Sequence, residues 1–61
     1  MKRWTLIQHL VQNRCHLHGE SERHSWWLSK AKDKRTNVPR QPEISEALAA
    51  KIFRDVDVEP L

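Results

Sequence analysis

Cysteine is nearly absent from this chain. Cys15 stands alone, so no internal disulfide can form, and a small secreted disulfide scaffold is excluded. Long hydrophobic runs are missing as well. The opening Met1-Lys2-Arg3 is basic, but Gln8 and His9 interrupt the apolar positions behind it. Neither a signal-type apolar core nor a membrane span is left, and the expected compartment is the cytoplasm. Internal repeats and low-complexity tracts are absent. Nor does charge of one sign dominate: 11 Lys+Arg against 8 Asp+Glu leave a net charge of +3. That mild basic excess favours a polyanionic partner such as nucleic acid without demanding one.

What is present fits one small domain over residues 1–61. A chain of 61 residues buries only about 60% of its unfolded surface and is marginal alone. A partner that extends the core would therefore matter. Hydrophobic residues make up 38%, and three Trp and one Phe supply the bulky core candidates.

Periodicity divides the chain into five elements. Residues 3–13 read as a helix, with Trp4, Leu6, Ile7, Leu10 and Val11 on one arc and Thr5, Gln8, His9 and Gln12 opposite. Asn13 is its stop signal. Residues 15–18 alternate as a half-buried strand, with Cys15 and Leu17 on one side and His16 and His18 on the other. A charged turn over 19–23 leads to a second strand, 24–29, and a basic turn leads to a third, 35–38. Pro39 holds Val38 extended and ends that strand. Ser45 is an N-cap for a second helix, whose apolar arc is Leu48, Ala49, Ile52, Phe53 and Val56. The tail from Asp57 is expected to fray before Pro60. The class is therefore α+β in the order α-β-β-β-α, with two helices packed on one face of a three-stranded antiparallel sheet.

Two segments concentrate chemistry: His24-Ser25-Trp26-Trp27-Leu28 and Arg35-Thr36-Asn37-Val38-Pro39-Arg40. RNA carries its own nucleophile, the 2′-OH. Cleavage needs a base for that proton, an acid for the leaving 5′-oxygen and positive charge near the phosphorus. Histidine suits the proton work because its unperturbed pKa, about 6.5, lies near operating pH. By spacing alone, a surface or structural histidine is the commoner reading of a residue like His24. His16 and His18 could face it across the hairpin as a second acid or base, or be solvated strand residues. Parity places Trp26 with His24 and Leu28, and Trp27 on the opposite face. Trp26 could stack a base, worth about 1–3 kcal/mol, or pack against a protein. Trp27 and Trp4 are expected in the core. Arg23, Lys30, Lys32, Lys34, Arg35 and Arg40 flank the strands as phosphate contacts, with Arg23 and Arg40 closest to the proposed site. Cys15, His16, His18 and His24 invite a zinc reading, but alternation sends Cys15 away from His16 and His18, and no metal is expected. Ser25 has no acid in sequence to complete a triad and faces away from His24.

In order along the chain, Leu6-Ile7, His24-Ser25-Trp26-Trp27, Thr36-Asn37-Val38-Pro39-Arg40, Glu43-Ile44, Leu48-Ala49 and Arg54-Asp55-Val56 resemble the pattern of HicA-type mRNA interferase toxins of bacterial HicAB toxin–antitoxin pairs. No single piece is specific; the ordered set, which covers nearly the whole chain, is. The resemblance implies a fold like a double-stranded-RNA-binding domain. It also implies an mRNA-cleaving ribonuclease that needs no metal or other cofactor, with an essential histidine at the start of the second strand and a HicB-type protein antitoxin as partner. By position that histidine is His24.

The expectation is thus an endoribonuclease toxin, with His24 transferring protons and Arg23, Trp26, Arg35 and Arg40 contacting RNA. A non-catalytic RNA-binding module and a small protein–protein adaptor anchored by Trp26 are the competing readings.

Overall fold

The first helix is rotated from the arc its apolar residues suggest. The computed structural model describes all 61 residues, and in it α1 (Arg3–Gln12) buries Leu6 and Leu10, whereas Trp4 is 68% exposed and Val11 55% exposed. Arg3 turns inward in place of Trp4. Its Nε donates to the Pro39 carbonyl at 2.9 Å and its Nη2 to Ser25 Oγ at 2.8 Å. The expectation that Trp4 belongs to the core is therefore corrected. A guanidinium with two acceptors beneath the sheet sets the helix azimuth, and the indole stays at the surface. His9, expected on the solvent side, packs edge-on against Phe53 with ring centroids 5.1 Å apart.

Three strands follow: β1 (Cys15–Glu20), β2 (His24–Ser29) and β3 (Lys34–Pro39), then α2 (Glu46–Asp55). The sheet is antiparallel in the order β1-β2-β3. The architecture is α+β, α-β-β-β-α. β2 occupies the residues its pattern predicts, while β3 is one residue longer at each end. β1 also runs further than expected, through Gly19 and Glu20, so the turn shrinks to residues 21–23. A bulge between Leu17 and Gly19 puts His18 out of register. Leu17, expected beside Cys15, lies on an edge strand and is 49% exposed rather than buried, bordering one depression with His16, His18 and Leu28.

Both helices cover the same face. Leu6, Leu10, Ile52 and Phe53 join Cys15, Trp27 and Val38 in one core cluster, and every buried side-chain nitrogen or oxygen has a hydrogen-bond partner. Ser45 caps α2 by accepting from the Leu48 N–H at 3.2 Å. α2 ends in a Schellman turn. The Val58 N–H donates to the Phe53 carbonyl and the Asp57 N–H to the Arg54 carbonyl, with Asp57 in the left-handed region at φ 56°. This corrects the expectation of a frayed tail: Val58 is buried, and His9 Nε2 bonds the Glu59 carbonyl at 2.6 Å. No helix is long and apolar enough to cross a membrane.

Candidate functional site

The face of the sheet turned away from the helices carries the candidate residues. Along β2, Ser25, Trp27 and Ser29 are buried, while Trp26 is exposed and His24 and Leu28 are half-buried. Parity therefore divides the two tryptophans as the sequence predicts. Trp27 reaches the core and donates from Nε1 to Ser25 Oγ at 3.1 Å. Trp26 stands on the open face with 42% of its surface exposed.

His24 sits where three segments converge. It pairs with Pro39 at the end of β3, and the turn before it is clipped by Ser21. Ser21 Oγ accepts from the His24 N–H at 3.3 Å, and the Ser21 N–H donates to the His24 carbonyl at 2.8 Å. The Arg40 N–H donates to the Arg23 carbonyl at 2.9 Å, and Arg40 Nη1 donates to the Ser21 carbonyl at 3.3 Å. These bonds hold both arginines beside the histidine. Together with Glu22, Pro39 and Gln41 they line an open cleft of about 490 Å³ whose wall is polar except for Pro39. An imidazole, two guanidiniums and one carboxylate can bind a phosphodiester and move protons on it. The carboxylate of Glu20 lies 4.0 Å from Arg40, a surface contact that leaves the guanidinium accessible.

The remaining predicted residues are distributed along the same face. Arg35 pairs across from Leu28 and lines a hollow of about 180 Å³ with His18, Trp26 and Asp33. His16 also pairs across from Leu28. With His18 and Lys30 it borders a second depression, of about 280 Å³. The structure thus separates His16 and His18 from the His24 cleft. Of the two readings open for His16 and His18, the one that sets them beside His24 is not met, because β1 meets β2 at Trp26 and Leu28 and leaves His24 to β3.

Cys15 lies under the sheet, where burial pushes its thiol up against the opposing effect of Lys32. It does not converge with His16 and His18, and no group of three or more His, Cys, Asp or Glu side chains is arranged to hold a metal. Ser25 is fully buried and accepts from Arg3 and Trp27, which makes it a structural hydroxyl.

Three contributors escaped the sequence reading. Gln41 enters the cleft wall from beyond Pro39. Ser21 shapes the turn. Arg3 ties α1 to Ser25 and to the Pro39 carbonyl, directly behind the His24–Pro39 pair. Arg3 did have a signal: it lies three and seven residues before Leu6 and Leu10, the spacing of one helix face.

Comparison of the chain with protein-family models, with curated proteins and with solved structures finds no match.

Proposed function

We propose that this protein is a HicA-type endoribonuclease toxin that cleaves mRNA without a metal and is silenced by a HicB-type protein antitoxin. The cytoplasm is its proposed site of action. The observation that carries the reading is the cleft in which His24 lies between Arg23 and Arg40, open to solvent and walled only by polar residues and Pro39. In this reading the phosphodiester binds between the two guanidiniums. The His24 imidazole takes the 2′-OH proton, and the 2′-oxygen attacks phosphorus. The bond from phosphorus to the 5′-oxygen breaks, and that oxygen leaves with a proton from imidazolium or water. The products are a 2′,3′-cyclic phosphate and a 5′-hydroxyl. Arg23 and Arg40 stabilise the charge that builds on the phosphorane, while Trp26 and Arg35 hold RNA beyond the cleft. The antitoxin silences the toxin by covering the His24 face.

One observation favours a non-catalytic RNA-binding module as the second reading. A single imidazole lines the cleft, and the Glu22 carboxylate shares it. Induced expression of wild type and His24→Ala decides between them. Growth arrest by wild type alone, with RNA cleavage that persists in EDTA, supports the nuclease. Equal toxicity of both chains would falsify the role given to His24, and loss of cleavage in EDTA would reinstate a metal.

A further inference from the structure

We propose that the open face of the sheet is a track for single-stranded RNA that follows β2 and holds at least three consecutive nucleotides. This rests on the nuclease reading only for what happens at His24; the track itself is a binding surface. His24, Trp26 and Leu28 alternate with the buried Ser25, Trp27 and Ser29, so they stand in line on one face, about 6.6 Å apart by the strand rise. Each step is close to the reach of one nucleotide in a stretched single strand.

The neighbouring strands make each step a different subsite. At His24 the cleft is flanked by Arg23 and Arg40 and suits a phosphate. Next along β2, Trp26 pairs with Asn37 on one side and Gly19 on the other. Gly19 presents no side chain there, and a Cβ built on it would meet nothing within 4 Å. One flank of the Trp26 indole is therefore open to a stacking base, and Asn37 offers an amide to a base edge. At Leu28, His16 stands on one side and Arg35 on the other. His16, His18, Leu17, Leu28 and Lys30 line a depression of about 280 Å³, room for a further base against the leucines with a cation for its phosphate.

Charge selects the occupant. Arg23 and Arg40 close one end of the line and Lys30 and Arg35 the other, against the carboxylates Glu20 and Glu22 at the first end and Asp33 at the second; the protonatable His16, His18 and His24 lie on the line between them. A polyanion whose charges repeat along its length matches that spacing. A duplex does not fit, because its bases are already stacked on one another and have no free π-face for Trp26. The apolar residues between the cations, Leu17, Trp26 and Leu28, can take base faces, while the histidines and Asn37 beside them take base edges.

The test uses His24→Ala, which keeps the RNA intact, and labelled oligouridylates of one to five nucleotides. Affinity should climb with each nucleotide up to the third and rise less steeply after it. Trp26→Ala should weaken the trinucleotide about tenfold or more, and Trp26→Phe should retain most of its affinity. The double variant His16→Ala/His18→Ala should weaken the trinucleotide and leave the mononucleotide unchanged. A separated strand should outcompete the duplex made from it. Equal or tighter binding of the duplex, unchanged binding by both open-face variants, or RNA-induced NMR shifts confined to α1 would overturn the track. So would the absence of saturable RNA binding, which would leave the face to a protein partner. Wild type that binds along the track but never cleaves would remove the nuclease and keep the track. Cleavage indifferent to Trp26, His16 and His18 would do the reverse.

Discussion

The two faces of the sheet come from the same three strands by simple alternation, and their compositions are closer than their roles. The covered face holds Cys15, Ser25, Trp27, Ser29, Thr36 and Val38; the open face holds His16, His24, Trp26, Leu28, Arg35 and Asn37. Each has one tryptophan, at least one aliphatic side chain (Val38 or Leu28) and several polar residues. The difference lies in where those polar groups find partners. Ser25 accepts from Arg3 and Trp27, and Thr36 donates to the Asp55 carboxylate at 2.9 Å. Short hydroxyls satisfied by the helices and by the Trp27 indole can be buried. Imidazoles, a guanidinium and an amide without such partners remain in water, available to a ligand. Apolar content alone would not have told the open face from the covered one.

The sharpest way to break this comparison is to truncate its two tryptophans. Trp27→Ala should cost about 3–5 kcal/mol, enough to leave so small a domain largely unfolded. Trp26→Ala should cost under about 1 kcal/mol and show its effect in RNA affinity. Denaturant titration of both variants checks this, and similar losses would dissolve the distinction. Next in size is Ser25→Ala. It strips an acceptor from the Trp27 indole and from Arg3 beneath the sheet and should destabilise by about 1–3 kcal/mol. The matching open-face change, Asn37→Ala, should fall within about 0.5 kcal/mol in thermal melts.

Acid sharpens the comparison from the covered side. The hydrogen bond from Lys51 holds the Asp55 carboxyl below the usual carboxylate range, with help from Thr36. A carboxyl depressed in the folded state binds fewer protons there than in the unfolded chain. Its stabilisation is complete above the unfolded value, about pH 4, and is lost as pH falls through the lower folded value. Asp55→Asn should therefore flatten the acid limb of a plot of stability against pH and lower its plateau; an unchanged acid limb would remove Asp55 as the anchor of β3. A modest effect of the opposite sign is expected outside both faces. Arg14 joins α1 to β1 with φ 65°, a conformation that strains a residue with a Cβ. Arg14→Gly should raise stability by up to about 1 kcal/mol and leave RNA binding unchanged, as calorimetry and the oligouridylate titration would show.

Much of the fold is legible because alternation is local. β2 announces itself by parity, and α2 by a polar cap and a continuous apolar arc. α1 is harder to read because Trp4, Ile7 and Val11 form an apolar stripe as convincing as the one containing Leu6 and Leu10. The choice between them falls to Arg3, whose acceptors Ser25 and Pro39 lie 22 and 36 residues away. The tail is misread for a similar reason. Pro60 ends any helix, but what secures Val58 is a left-handed Asp57 and the carbonyl of Phe53. At the candidate site, His24, Arg23 and Arg40 can be linked from strand ends alone. Gln41 cannot, because only the closure of β3 onto β2 brings it to the cleft.

By itself the amino-acid order determines the α-β-β-β-α plan and the face that each tryptophan of β2 takes. Both follow from side-chain period, a property of the backbone that needs no distant contact. Tertiary structure alone decides the roll of α1, the burial of the tail and the separation of His16 and His18 from His24. Each depends on which distant polar group finds its partner, and local periodicity carries no record of that.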